Sequence, residues 1–349
     1  MPPTIKVAIA TPLDPSLRHV ITDVDPSVEL LIDDSLLPVQ RIPGDHQFDP
    51  DFVRSAEQQV AFDRLLSQAD IFYGIPDTKP AALGPAVRAN PRLRWVHTMA
   101  AGGGAQVKAA KLTSEELDRV VFTTSAGVHG PTLAEFAMFG VLAGAKDLPR
   151  LRTQQAHRQW TSRWAMKQVH EQTILVAGLG GIGAQTARLA KAFGAYVLGT
   201  KRRPTPVEHV DEVHATKYLP ELVGRADAII FTLPGTAETD GLYGAEMIAA
   251  TKPGAVIVNV GRGIVIDEPS LVDGLRSGQL SAAFLDVFAV EPLPGNSPLW
   301  EMPQVVIAPH TAALSPHEDR RIVELFANNL RRWINGEELI NVVDTQHFY

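Results

Sequence analysis

Residues Thr173-Ile-Leu-Val-Ala-Gly178-Leu-Gly180-Gly181-Ile182-Gly183 constrain the fold more than any other segment of the chain. A charge-free run of branched apolar residues predicts a buried parallel strand. Glycines at G-x-G-x-x-G spacing follow it, and helix formers fill Ala184 to Phe193. The glycines allow, in turn, a tight turn, close approach of backbone to a pyrophosphate, and close helix–strand packing. The helix start then offers unbonded N–H groups and a positive dipole end to an anion. Taken alone the motif also describes a structural turn; between a strand and a helix it predicts a dinucleotide-binding unit. Such a unit begins near residue 173, so everything upstream must serve another purpose.

A chain of 349 residues predicts two domains. With 45% hydrophobic and 20% charged residues, its composition is that of an ordinary globular protein. The net charge of −7 argues against a nucleic-acid partner, which needs a basic footprint. No uncharged apolar run approaches the ~18 residues of a membrane span. The start Met1-Pro-Pro-Thr-Ile-Lys lacks the basic-then-apolar pattern of a signal peptide. The absence of cysteine excludes disulfides, Cys-ligated zinc and thiol catalysis, and fits a cytoplasmic enzyme. No metal site is expected.

Upstream of residue 130, short apolar runs at 5–10, 28–32, 70–74, 93–97 and 120–124 read as strands, with helices over 51–68 and 81–89. That alternation predicts a parallel α/β sheet. Gly130-Pro131 opens a long helix whose core, Phe136 to Ala145, is apolar nearly all round. Such a helix is expected to be buried between domains or subunits. Beyond the glycines, strands are expected at 196–200, 228–233, 255–260, 282–287 and 305–308, and a last helix over 316–335. The proline-rich stretch 291–298 should be an exposed loop.

Three polar residues follow successive strand ends of the second unit, the usual ligand-facing edge of a doubly wound sheet. Asn259-Val-Gly-Arg262-Gly, Asp286-Val-Phe-Ala-Val-Glu291-Pro and Ala308-Pro-His310-Thr-Ala-Ala313 carry them. Singly, each has an ordinary reading as a solvated charge, a loop residue or a satisfied hydrogen-bonder. Together, beside a nucleotide fold, they suit hydride transfer to a carbonyl next to a carboxylate. The hydride must come from a nicotinamide, because no side chain supplies one. His310 is the natural proton donor, and Glu291 beside it would orient it. Arg262 offers a planar fork that matches a carboxylate and also polarises the carbonyl.

At this point the chain resembles the D-isomer-specific 2-hydroxyacid dehydrogenases, which include glyoxylate/hydroxypyruvate reductases and phosphoglycerate dehydrogenases. GLGGIG (178–183), NVGRG (259–263), DVFAVEP (286–292) and PHTAA (309–313) carry the resemblance, in order and spacing, across essentially the whole chain. The resemblance implies two doubly wound parallel-sheet α/β domains. A Rossmann nucleotide-binding domain, residues 127–316, is inserted into a flavodoxin-like substrate domain, residues 1–126 plus 317–349. It implies a homodimer, and a small 2-oxoacid or D-2-hydroxyacid substrate such as glyoxylate or hydroxypyruvate. Arg262 would bind that substrate, Glu291 would partner the histidine, and His310 would be the acid/base. By the same motifs Gly178, Gly180, Gly181, Ile182 and Gly183 hold the pyrophosphate. Leu233, Pro234 and Thr239 line the adenine-side loop, while Val260, Gly261, Asp286 and Ala312 lie near the nicotinamide. For Asp286, orienting Arg262 or capping the local backbone is an alternative of nearly equal weight. A phosphite dehydrogenase-like enzyme and a dinucleotide-sensing corepressor-like binding protein remain alternatives on this fold.

Met99-Ala-Ala101-Gly102-Gly-Gly104 corresponds to the family's carboxylate loop, whose glycines permit an anion-binding nest. Ala101 and Gly102 are candidate substrate contacts, with Tyr73, Gly74 and Ile75 as a neighbouring wall. Ala and Gly replace the family's usual Ser and Asp or Asn there. Trp300 reads equally as a substrate cover and as an edge anchor. The acid that grips an NAD ribose is expected about 20 residues past the glycines. Here the chain reads Thr200-Lys201-Arg202-Arg203 instead. Three cations suit a 2′-phosphate, so NADP(H) is the expected cofactor, with NAD(H) also possible.

Overall fold

The computed structural model describes residues 4–42, 44–45, 48–49 and 51–348. Residues 1–3 and 349, inside the expected domain ranges, lie outside the described residues. Backbone contacts divide the chain into two units, Met1–His129 with Leu314–Tyr349, and Gly130–Ala313.

The first unit is a parallel five-stranded sheet of β1 (Ile5–Ile9), β2 (Val28–Leu31), β3 (Ile71–Tyr73), β4 (Trp95–Thr98) and β5 (Val121–Thr124), in the order β2-β1-β3-β4-β5. That is the flavodoxin-like winding. The helix expected over 51–68 starts later, at Ala56–Ser67, because Ser55 and Gln58 close a reciprocal capping box. The last helix, Glu318–Asn335, buries Ile322, Val323, Phe326, Ala327 and Leu330 along one stripe. Phe326 stacks on Trp95 at 4.8 Å and meets the edge of Tyr73 at 5.1 Å. The tail then returns along β5, where the Val343 N–H donates to the Phe122 carbonyl.

The second unit is a parallel seven-stranded sheet. Its strands are β6 (Thr173–Ala177), β7 (Tyr196–Lys201), β8 (Glu212–Ala215), β9 (Ala228–Phe231), β10 (Ala255–Asn259), β11 (Leu280–Leu285) and β12 (Val305–Ile307). The order β12-β11-β10-β9-β6-β7-β8 reverses direction between β6 and β9, the switch point at which such sheets take ligands. Strand β8 was not expected from the sequence. It is a short, half-buried edge strand whose Glu212 faces Arg225, His214 and the Tyr196 hydroxyl, and these hold its carboxyl down to about 2. Charge on an edge strand discourages pairing with other chains.

The apolar helix forms as Gly130–Ala145. Much of its burial comes from the sheet beneath it. Gly140 lies against Val258 and Phe284, and Gly144 against Val256, so small residues let the helix settle on β10 and β11. Phe139 stays 43% exposed. Among the described residues no helix is long and apolar enough to cross a membrane, and no cluster of His, Asp and Glu could hold a metal ion.

Candidate active site

The glycine motif joins β6 to the helix Gly181–Ala192, which begins three residues earlier than the sequence predicts. Gly178 has φ +109°, a backbone state closed to most side chains. A Cβ at Gly183 would collide with the Gly178 carbonyl, so the helix can approach the strand only with glycine here. A Cβ at Gly180 would meet nothing within 4 Å, which leaves the helix start open to a ligand. First-turn N–H groups have no acceptor inside their own helix. An open, amide-lined helix start fits the pyrophosphate of a dinucleotide. Thr232, which no sequence motif marks, donates its hydroxyl to the Gly178 carbonyl at 2.5 Å.

The three cations follow β7. Lys201 Nζ lies 3.2 Å from Thr205 Oγ1, while Arg202 and Arg203 are exposed. The nearby acid Asp211 is engaged elsewhere, with Lys191 and the Val197 N–H. Leu233 is buried and Pro234 exposed at the end of β9. Thr239 is also buried. Its hydroxyl donates to the Pro234 carbonyl and accepts the Thr236 N–H, so it staples the loop.

Beyond β10 a buried side chain fixes the loop that carries Arg262. Asn259 accepts the Gly261 N–H and donates to the Arg262 carbonyl, holding both sides of a tight turn. Val260 and Gly261 are buried within it, and the Arg262 side chain projects from an exposed position. At Gly263 a Cβ would collide with the Phe288 backbone, so this loop packs directly on the one after β11. Phe288 in turn donates its N–H to Glu291 Oε1 at 2.9 Å. Glu291 Oε2 lies 2.7 Å from His310 Nδ1. Backbone contact thus links the loops of Arg262 and Glu291, and a hydrogen bond carries the chain on to His310.

His310 has φ +52°, a strained setting that the surroundings must enforce. Asp286 enforces it: its carbonyl accepts the His310 N–H, and Oδ1 accepts those of Thr311 and Ala312 at 2.8 and 2.9 Å. Of the roles expected for Asp286, backbone capping is the one these distances describe. Burial pushes its carboxyl pKa upward against those two amide bonds. Glu268 anchors the same region by accepting the Ala289 N–H at 2.7 Å. Trp300 is half exposed, and its indole N–H donates to the Pro294 carbonyl, folding the proline-rich loop back on itself.

In the first unit, Ala101 and Gly102 are exposed in a turn that leads into the helix Gly103–Ala109. Ile75 and Tyr73 are both 2% exposed, and the Tyr73 ring packs on Phe326 in the core. The Tyr73 ring is thus engaged in core packing. Asp77 and Thr78 after Ile75 both have positive φ, and Arg54 clamps Asp77 at 2.8 Å.

A dinucleotide fold with an arginine, a glutamate and a histidine at adjacent strand ends defines a nicotinamide-dependent oxidoreductase. Residues 138–312 match the family model for the D-isomer specific 2-hydroxyacid dehydrogenase NAD-binding domain. The glyoxylate/hydroxypyruvate reductase B of Pectobacterium atrosepticum is 33% identical over 264 residues, 73% of this chain and 80% of that one. A 2-hydroxyacid dehydrogenase from Xanthobacter autotrophicus, solved with NADPH and MES, is 28% identical with a TM-score of 0.76, covering 99% of this chain and 100% of that one. The NADPH-dependent glyoxylate/hydroxypyruvate reductase of Sinorhizobium meliloti, solved with NADP and sulfate, is 25% identical with a TM-score of 0.77 and the same coverage. Mycobacterial D-3-phosphoglycerate dehydrogenases also match, and the chain spans 42% of their length. The chain belongs to the D-isomer-specific 2-hydroxyacid dehydrogenase family.

Proposed function

We propose that this protein reduces a small 2-oxoacid, glyoxylate or hydroxypyruvate, to its D-2-hydroxyacid, with NADPH preferred over NADH. The observation that carries the reading is the 2.7 Å contact between His310 Nδ1 and Glu291 Oε2 beside the dinucleotide fold. A protein that only sensed the dinucleotide would have no use for an oriented acid/base pair.

When bound, the nicotinamide supplies the hydride. Arg262 pairs its guanidinium with the substrate carboxylate and polarises the adjacent carbonyl as negative charge grows there. His310, with Nδ1 engaged by Glu291, presents Nε2 and delivers the proton to the new hydroxyl oxygen. Ile75, Ala101 and Gly102 are proposed to contact the substrate, the turn offering its amides to the carboxylate. Gly178, Gly180, Gly181, Ile182 and Gly183 hold the pyrophosphate. Leu233, Pro234 and Thr239 flank the adenosine side, and Val260, Gly261, Asp286 and Ala312 border the nicotinamide.

The preference for NADPH rests on Lys201, Arg202 and Arg203, with no carboxylate at the end of β7 to repel a 2′-phosphate. The protein is proposed to work in the cytoplasm as a homodimer. Exposed Phe139 on the long helix, and Leu151, Trp160 and Met166 in the segment between it and β6, supply apolar surface for a second copy. The primary test is NADPH oxidation with glyoxylate, hydroxypyruvate and pyruvate. Absence of turnover with all three would overturn the substrate class, and light scattering checks the dimer.

A further inference from the structure

Beneath the Met99–Gly104 turn runs a row of buried polar groups for which the proposed chemistry has no use. Trp95, His97, Thr98, Thr123 and Ser125 are all 0% exposed. The Trp95 indole N–H donates to Thr123 Oγ1 at 2.8 Å, and that oxygen lies 2.8 Å from His97 Nδ1. His97 Nε2 lies 3.1 Å from Ser125 Oγ, which reaches the Thr98 carbonyl at 3.0 Å.

Only one arrangement of protons satisfies the row. The Thr98 carbonyl can only accept, so Ser125 spends its single proton there. Ser125 must then accept from His97 Nε2–H. A neutral imidazole keeps its lone pair on Nδ1, which takes the Thr123 hydroxyl proton, while Thr123 accepts from Trp95. Burial keeps the ring neutral, pulling its pKa down to about 3. Every donor therefore points toward Thr98.

The row ends where β4 gives way to the turn. Thr98 Oγ1 sits where a Cβ on Gly103 would be, and both Thr98 Oγ1 and the Gly103 N–H donate to the Ala100 carbonyl. Exposed Ala101 and Gly102 are thus bracketed by groups that Thr98 fixes. An apolar residue at 97 would fill this core without the burden of matching polar partners. A row fully satisfied away from water is rigid, and breaking any link leaves a buried group unmet.

We propose that His97, acting with Thr123 and Ser125, is the positioning residue of the Ala101–Gly102 turn. By fixing the Thr98 carbonyl it sets the direction in which the turn's N–H groups meet a substrate carboxylate. The inference rests on the reading that this turn holds that carboxylate.

The test is steady-state kinetics with glyoxylate and NADPH. Ser125→Ala should raise KM for glyoxylate about tenfold, with kcat and the NADPH dissociation constant little changed, and Ser125→Thr should restore it. A folded Ser125→Ala enzyme with unchanged KM overturns the proposal, whatever its melting temperature. Thr123→Val, which keeps the shape and breaks the row upstream, serves with the same expectation if Ser125→Ala fails to fold. In the wild-type protein, ¹⁵N NMR should find His97 protonated on Nε2; a proton on Nδ1 overturns the row. Ala101→Asp separates the two readings. If it leaves KM unmoved, the turn does not hold the carboxylate; if it raises KM while Ser125→Ala does not, only the positioning role fails.

Discussion

Glu291 holds His310 through Oε2, 2.7 Å from Nδ1, and anchors itself through Oε1 to the Phe288 N–H. The carboxylate thereby fixes the imidazole relative to the loop that also abuts Gly263, the neighbour of Arg262. With Nδ1 occupied, Nε2 is the atom left for proton transfer. His310→Gln should lower kcat by roughly 10²–10⁴-fold, the usual contribution of a positioned acid. NADPH binding, measured by fluorescence titration, should hardly change. Near-full turnover in that variant would remove His310 from the mechanism.

Asp286 tests whether the loop that carries His310 needs its clamp. Asp286→Ala removes the acceptor for the Thr311 and Ala312 N–H groups. Each unmet amide costs about 1–3 kcal/mol, so the variant should melt earlier and turn over more slowly. Asp286→Asn keeps an oxygen for both amides. Thermal melts and kcat should therefore rank wild type and Asn close together, with Ala well below. An Asn variant as impaired as Ala would assign the negative charge itself a role, beyond capping.

The strands were legible because buried parallel strands are plain apolar runs, and Leu175-Val-Ala and Ile229-Ile-Phe lie fully buried as such runs must. The glycines were legible because Gly178 and Gly183 sit where only glycine fits. Strand β8 was not: Glu212-Val-His-Ala is short, polar and on an edge, so no hydrophobic period marks it. Arg262, Glu291 and His310 stood out as strand-end residues and Asp286 as a candidate cap, yet the amides it caps did not. The partners of Asp286 lie 25 and 26 residues away, and only the packing of β11 beside β12 brings them within reach. His97 and Thr123 likewise read as ordinary strand residues until β4 and β5 are paired in register.

Cofactor choice should respond to the residue that ends β7. Lys201→Asp places a carboxylate where a 2′-phosphate would need a cation. A charge-assisted hydrogen bond contributes about 1.5–3 kcal/mol, so kcat/KM for NADPH should fall roughly 10- to 150-fold. NADH use should be unchanged or improved, because an acid there matches the ribose diol. The ratio of kcat/KM for the two cofactors, before and after substitution, is the measurement. A wild-type ratio near one would mean that the 2′-phosphate is not what these cations recognise.

His97 also makes a prediction about acid stability. Its pKa is pulled to about 3 in the folded protein by burial, against 6.5 for an exposed imidazole. Between those values the unfolded chain binds a proton that the folded chain refuses, so folding weakens as pH falls. The slope for one such group approaches about 1.4 kcal/mol per pH unit once the pH is well below 6.5, and it levels off near 3. Above pH 7 the group contributes no dependence. Hydrogen exchange of the β4 and β5 amides, corrected for intrinsic rates, reads the opening free energy of this sheet at pH 7 and pH 5. The difference between the two should be smaller in His97→Gln, which has no titrating ring. Equal pH dependence in variant and wild type would mean that His97 is already protonated in the fold, and that the donor row beneath the turn cannot have the direction assigned to it.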